Sequence, residues 1–92
     1  MSGASHDPWR GAQRFGQVLV VVDTENDGAM VQAPQPGPVH DLMRTMRLHG
    51  LDEITGAYQV QSGMASTDPV AADIARALKF AAARLKASKG SK

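Results

Sequence analysis

Five consecutive apolar residues, Val18-Leu19-Val20-Val21-Val22, constrain this chain more than any other segment. Four of them are valines, stiff at χ1 and suited to a pleated surface. The spacing predicts a strand over Gln17–Asp23, and because the apolar positions do not alternate, both of its faces call for cover. Such a strand belongs inside a sheet. After it, Asp23-Thr-Glu-Asn-Asp-Gly28 reads as a tight turn, since Asn26, Asp27 and Gly28 tolerate the positive φ that hairpins need. Ala29–Ala33 is then a return strand, ended by Pro34, Pro36 and Pro38, none of which can donate a ladder hydrogen bond.

The rest of the chain supplies the partners. Pro38 suits the first position of a helix and Gly50 the left-handed residue after its end, with Val39, Leu42, Met43 and Met46 on one face between them. Ile54–Gln61 reads as a third strand, with Ile54, Tyr58 and Val60 on one side and Thr55, Gln59 and Gln61 on the other. Asp68 and Pro69 open a last helix, whose buried stripe is Val70, Ile74, Ala77, Leu78, Ala81 and Leu85. The order is β-β-α-β-α. A right-handed crossover through the first helix gives a three-stranded sheet in the order 2-1-3, with two helices on one face. The expected fold is a small two-layer α+β sandwich.

At 92 residues, this is one domain, able to bury roughly 60–65% of its unfolded surface. Residues 1–16 read as a flexible N-terminal arm, residues 17–88 as the domain and residues 89–92 as a basic tail. Trp9 and Phe15 give the arm a second reading, as an anchor folded back over an edge of the core. The chain has no cysteine, so disulfides, thiolate metal sites and cysteine nucleophiles are excluded. The Val18–Val22 run is far short of the ~18 residues of a membrane span, and no basic region followed by an apolar stretch opens the sequence. The expected location is the cytoplasm, and no membrane partner is expected.

Reactive constellations are sparse. Asp23-x-Glu25-x-Asp27-Gly28 matches the opening of a calcium loop, but Val31 and Pro34 stand where the later ligands should be. His40 and His49 fall on nearly opposite faces of one expected helix, unlike helical zinc ligands, and His6 lies far away in the arm. Asp52 and Glu53 are adjacent, so their side chains diverge where acid–base pairs must converge. The serines lack a nucleophile-elbow context, and Gly50, Gly56 and Gly63 form no phosphate loop. These readings predict no catalytic residues, no metal site and no cofactor.

Two features point outward instead. If both helices cover one face, half of the valine-rich strand, Leu19 and Val21 among it, faces away from them. Phe80 and Leu48 also lie off the buried stripes of their expected helices. With Trp9, these residues form the expected interface of a non-enzymatic interaction or regulatory module that associates with a protein partner, as a homodimer in the first instance. The second feature is charge. Residues 74–92 carry Arg76, Lys79, Arg84, Lys86, Lys89 and Lys92 with no acidic side chain, whereas the remainder has nine acidic residues against four basic. The alternative expectation is therefore sequence-tolerant binding of nucleic acid by the basic C-terminal helix, with Arg10 and Arg14 able to extend the patch.

Overall fold

The valine-rich strand is where the sequence places it. In the computed structural model, which describes residue 9, residues 11–34 and residues 43–90, it is β2, Val18–Asp23. It pairs on one side with a short β1, Gln13–Phe15, and on the other with β3, Gly28–Pro34, through the predicted turn. The turn builds itself from Asp23, whose Oδ1 accepts the Asn26 backbone N–H at 3.1 Å while its Oδ2 accepts the Asn26 side-chain amide at 2.7 Å. Asp27 takes the positive φ of 57°.

Beyond β3 the expected elements exchange type. Residues 43–49, expected within a helix, form the edge strand β4, Met43–His49, antiparallel to β3. Residues 54–61, expected as a strand, lie inside a helix, α1, Leu51–Met64. Among the described residues the sheet therefore has four strands, not three, in the order β1-β2-β3-β4 and antiparallel throughout, not 2-1-3 with a parallel crossover. Arg44, Met46 and Leu48 are half-buried while Met43, Thr45, Arg47 and His49 are exposed, which is the alternation of a half-covered strand. The spacing Met43, Met46 fits either period, and cross-strand pairing with β3 decides it. In α1, Leu51, Ile54, Ala57, Tyr58 and Gln61 recur at helical spacing on the less exposed side, and Val60 is left outside, 59% exposed.

Gly50 explains the exchange. Its φ is positive, 91°, as expected, but its ψ of 160° is extended and not left-handed helical, and it turns the chain from β4 into α1 without closing a helix. Its N–H donates to the Asp27 carbonyl at 2.7 Å, and the His49 N–H donates to Glu53 Oε1 at 2.8 Å. Glu53 thus reaches back from the first helical turn to an otherwise orphaned donor, much as the acidic member of a capping box does. Asp52 and Glu53 accordingly lie in a helix start, not in a strand or turn.

The last helix, α2, Pro69–Gly90, begins as predicted. Asp68 Oδ1 accepts the Val70 N–H at 3.0 Å, and Pro69 holds the first position. α2 starts beside the β1–β2 turn, where Asp73 abuts Gly16, and ends at the β2–β3 turn, where Lys89 meets Asp27. It therefore runs the length of the sheet. Ile74, Ala77, Leu78, Ala81 and Leu85 close on Val18, Val20, Ala29, Val31 and Ala33, and Ile54 of α1 completes the core. Alanines on both layers let helix and sheet approach closely. Both helices lie on this one face. Among the described residues, no polar or charged side chain is buried and no helix is long and apolar enough to cross a membrane. The proline-rich stretch 35–42, with His40 and the expected helix start at Pro38, lies outside the described residues, as do His6, Arg10 and Lys92.

Candidate functional site

The register of the sheet decides which side chains face away from the helices. Three rows cross it on that side: Arg14–Leu19–Gln32–Thr45, Val21–Met30–Arg47 and Asp23–Gly28–His49. Leu19, Val21 and Met30 are half-buried along the middle of this face, and Met43, 44% exposed, stands at its edge on β4. The face is an apolar stripe set among Arg14, Gln32, Thr45 and Arg47.

Of the expected interface residues, Leu19 and Val21 are on this face, whereas Leu48 and Phe80 pack toward the core. Leu48 belongs to β4 rather than to a helix, and it points with Met46 toward the core, against which it packs. Phe80 also packs on the core, its ring tilted at 53° and 5.7 Å from that of Phe15. Trp9 is half-buried in a turn before β1, where its carbonyl accepts the Ala12 N–H at 3.0 Å. Phe15, read from sequence as part of an arm or an anchor, lies in β1 and covers the edge of the core.

The basic residues of α2 are likewise divided among several settings. Arg76 pairs with Asp73 one turn back, at 2.7 Å. Lys89 pairs with Asp27 at 3.2 Å. Arg84 sits over the Phe80 ring, 5.7 Å from its centroid, a cation–π geometry on the β1 side of the helix. Lys79 and Lys86 lie on the other flank. They line a shallow groove of ≈ 200 Å³ between α2 and α1, together with Thr55, Tyr58 and Ala82. Among the described residues, neither lysine has an ion-pair partner. The single basic array expected from sequence is thus two lysines facing α1 and three side chains already engaged elsewhere.

A concavity of ≈ 540 Å³ opens at the turn end of the sheet. Val21 and Met30 form its apolar floor, Asp23 and Glu25 one wall, and Arg47 and His49 the other. Gly28, between Asp23 and His49 in the third row, contributes no side chain. None fits there: a Cβ on Gly28 would stand 2.8 Å from the Leu48 carbonyl oxygen. The Asn26 side-chain amide, then the Asn26 backbone N–H, hold the Asp23 carboxyl below the ordinary aspartate range, against a small opposing effect of burial. Asp23 turns to Asn26 while Asp27 turns to Lys89, so the carboxylates of the calcium-like motif serve different partners. Among the described residues, no three His, Asp or Glu side chains are grouped to hold a metal ion. Arg47, Met30 and His49 were not singled out as a site in the sequence, because their convergence depends on β4 being a strand beside β3. Read with period two, Arg47 and His49 would have fallen on one face.

Comparison of the chain with family models, with curated proteins and with solved structures found no match.

Proposed function

We propose that this chain is a non-enzymatic interaction module that associates with a second copy of itself through the open face of its sheet. The observation that carries this reading is the unequal cover of the sheet. Val18, Val20, Val31 and Ala33 on the helix side have no exposed surface, while Leu19, Val21, Met30 and Met43 on the other side meet no helix among the described residues. A small chain that leaves an apolar stripe on a flat sheet gains from burying it against a like surface, with Arg14, Gln32 and Thr45 supplying a polar rim. A two-fold axis makes one such patch sufficient for both partners. Arg47 and Thr45 on the exposed edge strand restrain uncontrolled strand addition.

Sedimentation equilibrium from micromolar to millimolar concentration tests this. A dimer is expected, together with its conversion to a folded monomer when Leu19→Lys and Met43→Lys are combined. A wild-type chain that stays monomeric at millimolar concentration defeats the reading.

The groove holding Lys79, Lys86 and Tyr58 favours a second reading, weak binding of nucleic-acid phosphates between the helices. Two lysines predict a shallow salt dependence. Unchanged binding of a short labelled oligonucleotide after Lys79→Glu and Lys86→Glu would exclude it.

A further inference from the structure

The concavity at the turn end of the sheet has a charge pattern that the association reading does not use. We propose that it binds a small zwitterion of the α-amino-acid class, the ammonium group toward Asp23 and Glu25, the carboxylate toward Arg47, and an apolar side chain over Val21 and Met30. Its volume, ≈ 540 Å³, is within the range of small-molecule sites, roughly 300–1,000 Å³, and its floor is apolar with a few polar groups at the walls.

The walls are opposite in charge yet stay apart. Among the described residues, no ion pair joins Asp23 or Glu25 to Arg47 or His49, although all four line one space. The sheet accounts for the gap. Adjacent strands are about 4.8 Å apart, so β2 and β4 are separated by about 10 Å with β3 between them. At the row joining Asp23 to His49 the intervening residue is Gly28, and the nearby Leu48 carbonyl leaves no room for a larger one. The separation is built into the backbone. A ligand carrying both charges on neighbouring groups completes each wall, whereas a simple anion or cation satisfies one and meets repulsion from the other.

The acceptor on the β2 side is also fixed in place. Asn26 engages both oxygens of Asp23 from one side, and each carboxylate oxygen retains acceptor capacity for an ammonium donor. On the opposite wall, the planar fork of Arg47 suits a carboxylate. Arg47 is exposed and has no side-chain partner among the described residues, so no existing bond has to break.

The experiment is an NMR or calorimetric titration of the full chain with L-methionine, L-methioninamide and N-acetyl-L-methionine, which carry both charges, only the cation and only the anion. At about 10 mM, tenfold above a millimolar Kd, free methionine is expected to bind, and each blocked form to bind at least about tenfold more weakly. Arg47→Gln is expected to abolish the preference for methionine over its amide, and Glu25→Gln to reduce the preference over the N-acetyl form. Both side chains are exposed, so both variants should keep the wild-type circular dichroism spectrum. No binding at about 10 mM, or equal binding of the blocked forms, overturns the proposal. Because the proposed dimer would cover Val21 and Met30, the panel is run also on the combined Leu19→Lys and Met43→Lys chain, which keeps every wall residue. It should discriminate there, and failure there overturns the proposal whatever the oligomeric state.

Discussion

The two faces of the sheet are built from different side chains, and the contrast shows what each has to do. The face under the helices uses Val18, Val20, Ala29, Val31 and Ala33, short or branched residues that let α2 approach closely. α2 answers with Ala77, Ala81 and the fully buried Ile74, Leu78 and Leu85. The open face carries Leu19 and Val21 and, around them, the longer Met30, Met43, Gln32, Arg14 and Arg47, none of them fully buried among the described residues. One face specifies the fold by shape. The other holds polar and unbranched side chains at the surface and is the face on which the proposed association rests.

Three experiments break or sharpen this contrast, in decreasing order of effect. Leu78→Ala opens a cavity in the covered face and should cost about 2–5 kcal/mol in urea unfolding. Val21→Ala on the open face should cost under about 1 kcal/mol in the monomeric background. If the two cost the same, the open face is packed as tightly as the covered one, and the contrast fails. A smaller effect of opposite sign is expected in α1. A Cβ placed on Gly56 or Gly63 meets nothing within 4 Å, so Gly56→Ala or Gly63→Ala should each raise stability by about 0.4–1 kcal/mol through a less free unfolded chain. A loss of stability there would reveal packing around α1 that the structure does not contain.

The smallest effect concerns acid. The Asn26 contacts lower the folded pKa of Asp23, so its contribution is complete above the ordinary aspartate value, about 3.9, and is lost as pH falls through the lower folded value. Asp23→Asn should therefore flatten the acid limb of thermal stability slightly and leave neutral behaviour nearly unchanged. An acid limb identical to wild type would show that Asp23 does not hold the turn.

The parts of the fold that the sequence disclosed were those with redundant signals. Residues 18–34 had β-branched composition, a turn rich in Asp, Asn and Gly, and a proline stop, all in agreement. α2 had Asp68, Pro69 and an apolar stripe over several turns. Residues 43–61 lacked that redundancy. Met43, Met46 and Leu48 satisfy either period over so short a run, and Gly56 and Gly63 weaken the helical signal of α1. Gly50 signals a positive φ, but a glycine with positive φ can end a helix or turn a strand into one. Its extended ψ of 160° and the hydrogen bond to Asp27 distinguish the cases, and the bond joins residues far apart in the chain. The concavity depends on the same strand, so the sequence pattern alone does not set Arg47 and His49 opposite Asp23.

α2 spans the sheet from Gly16 to Asp27, and this has a consequence for the order in which the protein is made. The ribosome releases β1, β2 and β3 first, and the residues that cover Val18, Val20 and Val31 come from Ile74 to Leu85. At about 5–20 residues per second, the apolar hairpin waits on the order of seconds for its cover. During that interval both of its faces are open, and the turn chemistry of Asp23 and Asn26 is the part of the fold that can form from what has already emerged.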